Sequence, residues 1–588
     1  MEIRARVAST PARRLPAAAR EAREDAIKCG DARRRKRHAD ATAGTAGKGG
    51  ARGDDPRPPR RVLERPRLRG PALAGRVDRA GRERAGDRAR AAPRGAGHHR
   101  GAHALHGALP PLRRRPRLDA ARQPRAARHR SHQRARGAGE PALAGVSPVD
   151  NRDLVARSLA AVWHPCTQMK AHERTPLVPV ARGEGAWLED FDGRRFVDGV
   201  SSWWVNLFGH ANPAINAALA DQLGRLEHAM LAGFTHEPVV ALSERLAKLA
   251  PGRLGHAFYA SDGASATEIA LKMAFHHWAN RGRPQKNRFV HLEGAYHGET
   301  VGALSVTDVP VFRDAYAPLL RRNLVTPFPA RHAGSKEFQC EACADEAAGA
   351  LAKLLEAQGD TVAALIVEPL VQGASGMRMY HPRFLALARE LCDRHGVLLI
   401  ADEIMTGFGR TGTMFACEQA RVAPDLLCLS KGITGGYLPL SCVLATDEVY
   451  ASFYDDSVAR GFLHSHSYTG NALACRAALA VLDLFEEGRV IEANRGKAAR
   501  FDAIAAPLAR HPAVREWRRL GMIWAFEVDG AGAGFAAGAF EIAMREGALL
   551  RPIGDTVYFM PPYVTDDEAF AALVKAGTAI ADELGARA

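Results

Sequence analysis

The first 150 residues contain no Phe, Tyr or Trp, and all 39 aromatic residues of this 588-residue chain (22 Phe, 10 Tyr, 7 Trp) lie beyond them. Large apolar side chains dominate core burial, so this quarter is excluded as a packed domain. Lysine is scarce there too. The segment carries 38 basic and 15 acidic residues, and of the basic ones only Lys28, Lys36 and Lys48 are not Arg. The remaining 43 basic and 50 acidic residues leave the rest of the chain net negative, so the overall charge of +16 belongs to the arm alone. No run of 18 apolar residues occurs anywhere, which excludes a membrane-spanning helix and predicts a soluble, cytoplasmic protein with no membrane partner. The nine cysteines are scattered and odd in number. Several lie inside apolar runs (Cys392, Cys428, Cys442) and read as small buried hydrophobes in a reducing compartment. One pair has metal-like spacing, Cys340 and Cys343 in "FQCEACADE". It lacks a second CxxC or HxxxH partner, although His332 is near in sequence, and no metal site is expected.

The arm, residues 1–148, is built from Ala, Arg, Gly and Pro and reads as disordered, since such composition cannot offset the entropy of ordering. A nucleic-acid-binding tail would suit its charge, but the aromatic platforms on which single strands stack are missing, so no nucleic-acid partner is expected. A transit peptide would be shorter, poorer in acids and amphipathic. The expectation that remains is a mis-assigned start, GC-rich DNA read out of frame. The second Met is Met169, so a true start would fall at a non-AUG codon such as Val146 or Val149.

From Asp150 on, the pattern is α/β. Val362–Val367, Val397–Ala401 and Leu426–Leu429 are apolar runs too short for helices. Between the first two, Phe384, Leu385, Ala388 and Leu391 recur at helical spacing, with Gly396 just past the end. This βαβ unit predicts a parallel sheet with helices on both faces, whose ligands sit beyond the carboxyl ends of the strands. Glu368 closes the first strand, Asp402 the second, and Lys431 follows the third by two positions. Two carboxylates and an amine on one sheet edge suit Schiff-base chemistry with pyridoxal phosphate, whose pyridinium nitrogen needs a carboxylate partner. Of the nine lysines after residue 150, Lys431 alone stands between an apolar strand and a Gly-rich turn. The others, such as Lys272 and Lys575, are expected to be solvated.

In "YASDGASATEIALKMAFHHW", Ser265 and Glu268 read as a capping box. Gly263 and Ala264 leave that helix N-terminus open as a phosphate site. Tyr296 in "GAYHGET" is an aromatic among small residues, suited to lying on a flat ring. Trp203 and Trp204 are adjacent, so at least one is expected to border a cavity.

Together these residues resemble the class III, fold-type I aminotransferases that use pyridoxal phosphate, over residues 151–588. The most specific strings are "ADEIMTGFGRTG" and "LSKGITGG". The resemblance implies a mostly parallel sheet with helices on both faces plus a smaller α+β domain. Its parts would be 149–199 and 488–588 in the small domain and 200–487 in the large cofactor-binding domain. It further implies a homodimer with shared active sites. Lys431 would carry the cofactor and shuttle the proton, and Asp402 would pair with the pyridinium. Gly263, Ala264 and Ser265 would hold the phosphate, with His466 and Ser467 of the partner subunit. Tyr296 would cover the ring, and Trp203, Ser465, Arg551 and Cys166 would line the substrate site. Arg551 would take a carboxylate, while Arg410 and Glu368 would have supporting roles. "WHPCTQM", "SSWWV" and "HSHSYTGNALAC" are similar to the branch that moves an amino group from S-adenosylmethionine to 8-amino-7-oxononanoate in biotin biosynthesis. The alternative within the family is an ω-amino acid or diamine substrate. This chain departs from the family pattern at Cys166, where a substrate-contacting Tyr is common, at Ala264, where Ser is common, and at Glu299, where Asp is common.

Overall fold

The computed structural model describes residues 150–330 and 340–585, Pro176 apart. The arm with its expected start sites, and His332, lie outside the described residues. Seven strands form the central sheet, in the order His256–Ala260, Ser441–Ala445, Leu426–Leu429, Leu398–Asp402, Val362–Val367, Arg288–Leu292 and Leu324–Thr326. Only Ser441–Ala445 runs against its neighbours; all other pairings are parallel. All six residues of Val362–Val367 are buried, as a strand covered on both faces requires. The second expected strand begins one residue late, at Leu398, and ends on Asp402 itself. The intervening helix, Pro382–His395, buries Phe384, Leu385, Ala388 and Leu391. It stops at Gly396, whose left-handed φ of 58° other residues adopt only at a cost.

A three-stranded antiparallel sheet (Val514–Leu520, Ile523–Val528, Thr556–Phe559) packs with the helices Val490–Ala509 and Asp567–Leu584. Phe501 and Phe570 stack 3.9 Å apart in its core. A third sheet matters most for the site. The strands Val180–Glu184, Trp187–Asp190 and Arg195–Asp198 accept the short strand Ala548–Leu549 in parallel, which carries Arg551 to the N-terminal segment.

Two expectations fail. Lys286 is not solvated but fully buried, its Nζ donating to the carbonyls of Gly359 and Val362, and burial pulls its amine down to about 8. Cys340 and Cys343 are joined as a disulfide. Cys392, Cys428 and Cys442 are free and buried, as read from their apolar surroundings; Cys417 and Cys475 are free and buried too, whereas Cys166 is free and exposed. Among the described residues no helix is long and apolar enough to cross a membrane, and no group of three His, Cys, Asp or Glu could hold a metal ion.

Candidate active site

Three adjacent parallel strands deliver Glu368, Asp402 and Lys431 to one edge of the sheet. Asp402 is buried. Its Oδ1 accepts the Ile404 N–H at 3.1 Å and its Oδ2 faces His297 Nδ1 at 2.7 Å. Glu368 accepts the N–H groups of Tyr296 and Gly373, both at 3.0 Å. Burial pushes its carboxyl up to about 7, with His297 pulling down and Asp402 adding to the rise. Lys431 opens a 3₁₀ turn with a φ of 47°, a left-handed conformation that non-glycine residues keep only where surroundings enforce it. Its Nζ lies 5.1 Å from the centre of the Trp204 ring. Burial lowers the pKa of this amine, with Asp402 and Glu368 resisting, so a larger fraction is neutral and nucleophilic.

The helix Gly263–Asn280 points its N-terminus at these groups. Its cap is Asp262 and not the expected Ser265–Glu268 box: Asp262 Oδ1 accepts the Ser265 N–H at 2.9 Å and Oδ2 the Ser265 hydroxyl at 2.8 Å. Glu268 turns elsewhere, to the Gly302 N–H at 2.7 Å. Aspartate caps as well as serine, and the one that lies three residues earlier wins. Ser265 is thereby held off the cavity that Gly263 and Ala264 line. Gly298, at φ 119°, lets the Tyr296–Glu299 turn approach this helix; a Cβ there would fall 2.6 Å from the Ala264 Cβ.

A cavity of about 290 Å³ is bounded by Gly263, Ala264, Tyr296, Asp402, Ile404 and Lys431. It adjoins a larger one of about 1060 Å³ that Lys431 also lines and whose walls include Trp203, Trp204, Tyr296, Glu299 and Arg551. At its mouth the Arg551 guanidinium lies over the Trp203 ring at 4.6 Å and donates to the Cys166 carbonyl at 3.3 Å. Trp203 is 39 % exposed, whereas Trp204 is 5 % exposed and gives its indole N–H to the Tyr558 hydroxyl at 3.0 Å. The Tyr296 hydroxyl donates to Glu299 Oε1 at 2.9 Å, and burial with Glu299 beside it raises the phenol's pKa. The Cys166 thiol faces the same oxygen at 3.7 Å, its pKa raised by burial and Glu299. Arg410 is buried and donates to the carbonyls of Trp204, Asn206 and Pro561, fastening the backbone around the tryptophans.

Ser201 to Trp204 carry φ values of 51°, 45°, 71° and 72°, a left-handed turn made without glycine. Each such residue costs about 1–2 kcal/mol.

The structure thus gathers Lys431, Asp402, Glu368, Tyr296, Gly263, Ala264, Trp203, Cys166 and Arg551 around connected space. It does not bring Ser465, His466 or Ser467 there: none of them lines either cavity in the same chain. His466 faces His464 at 3.1 Å, and the Ser467 carbonyl faces His228 at 2.9 Å. His297 and Ile404 went unassigned from sequence. Both follow the ends of central strands, which is the signal that found Asp402.

A helix N-terminus, a half-buried amine and a buried carboxylate on a parallel sheet define a phosphate-bearing, carbonyl-reactive cofactor site. Residues 168–580 match the family described as Aminotransferase class-III, and the chain belongs to that family. It is 44% identical over 439 residues to the adenosylmethionine-8-amino-7-oxononanoate aminotransferase of Helicobacter pylori, covering 74% of this chain and 98% of the relative. The namesake enzyme of Geobacter sulfurreducens is 40% identical over 430 residues, covering 70% and 94%. The crystal structure of the Methanocaldococcus jannaschii enzyme of that name superposes with a TM-score of 0.69 at 33% identity, covering 74% of this chain and all of that one. A PLP-bound amine transaminase from an uncultivated Pseudomonas species gives 0.67 at 33%, covering 72% and 99%.

The cofactor is pyridoxal phosphate. The residues present fit it. The N–H groups of Gly263 and Ala264 make no hydrogen bond among the described residues, and neither does Lys431 Nζ. His297 Nε2 is buried without a partner.

Proposed function

We propose that this protein transfers the amino group of S-adenosylmethionine to 8-amino-7-oxononanoate, forming 7,8-diaminononanoate for biotin biosynthesis. The observation that carries this reading is the Arg551–Trp203 pair at the mouth of the cavity that Lys431 floors, a cation and an apolar wall set for a carboxylate on an aliphatic chain.

When bound, pyridoxal phosphate supplies an electron sink that makes the amine-bearing carbon of the substrate acidic. Lys431 Nζ holds the cofactor between turnovers and, once displaced, moves the proton to and from that carbon. Asp402, oriented by His297 and the Ile404 N–H, would be the carboxylate partner of the ring nitrogen. Gly263 and Ala264 bind the phosphate at the helix N-terminus. Tyr296 and Ile404 line the same cavity, and Tyr296 would cover the ring. Both substrates use the one chamber in turn.

The active assembly is a homodimer in the cytoplasm, with His466 and Ser467 of the partner subunit completing the phosphate end. Supporting this, the segment that carries these residues is exposed alongside apolar Leu463 and Tyr468, 77 % and 64 % accessible.

The test is a donor screen with 8-amino-7-oxononanoate as acceptor and diaminononanoate detected by mass. Product with S-adenosylmethionine is expected. Product from lysine alone would replace the donor. Turnover confined to ω-amino acids or diamines with simple ketones would overturn the reading.

A further inference from the structure

We infer that Asp198 is a positioning residue: it holds the Ser201–Trp204 turn left-handed and so sets one tryptophan against Lys431 and the other against Arg551. This rests on the transaminase reading of the site and deepens it.

Four consecutive non-glycine residues in the left-handed region would relax to the right-handed one unless held. Asp198 grips the middle of the turn. It is fully buried, its Oδ1 accepts the Ser202 N–H at 2.8 Å, and its Oδ2 accepts the Ser202 hydroxyl at 2.8 Å and faces His210 Nε2 at 3.0 Å. The other anchors sit at the ends. The Ser201 hydroxyl donates to the Met560 carbonyl at 2.7 Å, and Arg410 Nη2 donates to the Trp204 carbonyl at 3.3 Å. Reversing the hand of a turn re-aims every side chain on it. The consequence would fall on both ends of the cavity, because the Trp204 ring lies 5.1 Å from Lys431 Nζ and the Trp203 ring 4.6 Å from the Arg551 guanidinium. Asp198 itself lines neither cavity, and Ser202 is its hydrogen-bonded contact within the turn.

Asp198→Ala and the milder Asp198→Asn are compared with wild type, and with Asp198→Ala combined with Ser202→Gly, since glycine enters the left-handed region without steric cost. Three readings are taken: near-UV circular dichroism of the tryptophans without substrate, thermal midpoint, and kcat and KM for a carboxylated acceptor against an uncharged ketone. The expected result is an altered tryptophan signal and an at least tenfold loss in kcat/KM for the carboxylated acceptor, carried by KM. The added glycine should recover at least threefold of that loss. If Asp198→Ala does not fold, Asp198→Asn is read by the same criteria, with a threefold loss in kcat/KM expected. An unchanged tryptophan signal, equal losses with both acceptors, or no recovery with glycine would overturn the inference. Wild-type protein that transfers no amino group would instead sink the functional reading, and the substrate-free tryptophan signal would then decide by itself whether Asp198 holds the turn.

Discussion

At the floor of the site, Asp402 ends one strand of a seven-stranded sheet and Lys431 follows the neighbouring one; Asp402 is buried and braced by His297 and the Ile404 N–H. At the mouth, Trp203 and Arg551 come from segments joined by a two-residue strand pairing, Cys166 meets Arg551 through its carbonyl, and all three stay exposed. The floor is over-determined by backbone hydrogen bonding, so its chemistry has little freedom to drift. The mouth depends on side chains that can be exchanged without disturbing the sheet. Cys166, exposed beside Arg551, is such a side chain.

The comparison breaks if a floor residue proves replaceable. Lys431→Ala should abolish transamination, a loss of about 10⁴-fold or more, while the protein stays folded. Borohydride reduction and peptide mapping would then find no labelled lysine, and a label elsewhere would refute the assignment. Asp402→Asn should retain cofactor but lose about 10²–10³-fold in kcat, because an amide cannot face the ring nitrogen with a charge. Near-normal turnover would show that Asp402 only braces His297. At the mouth the expected effect is smaller and falls on binding. Arg551→Ala should forfeit a charge-assisted pair worth about 1.5–3 kcal/mol, raising KM for 8-amino-7-oxononanoate about 10- to 150-fold. An acceptor without a carboxylate should be spared.

Acid should distinguish the two regions as well. His291, one strand from the floor, has its pKa lowered by burial to about 4 from 6.5. Folding therefore favours its neutral form: the contribution is intact above pH 6.5 and is lost as pH falls towards 4. His291→Leu should reduce the loss of unfolding free energy between pH 7 and 4 by about 1–3 kcal/mol, whatever it does to stability at pH 7. An unchanged slope would mean that His291 is not held neutral.

The floor was legible in sequence because its strands are short apolar runs and a parallel sheet presents ligand groups where such runs end. Glu368, Asp402 and Lys431 all followed from that rule. Applied to Leu292, the same rule would have reached His297, which stands next to Tyr296 in "GAYHGET". The capping box failed because an Asx-type cap and a Ser cap three residues apart are equivalent in pattern. Lys286 failed because burial of an amine with two carbonyls depends on distant chain. Asp198 was invisible for a related reason: nothing in "DGVSSWW" announces a left-handed backbone, since residues with Cβ atoms adopt one only under tertiary constraint.

The larger cavity leads to a single amine, Lys431 Nζ, whichever molecule enters. Donor and acceptor must therefore queue for the same berth, and each obstructs the other when it is in excess. Double-reciprocal plots at several fixed acceptor levels should run parallel, then tilt upward once the acceptor outnumbers the donor. The same geometry makes supply a form of control: output peaks at a balanced ratio of the two reactants and falls on either side of it, with no second binding site needed to sense the imbalance.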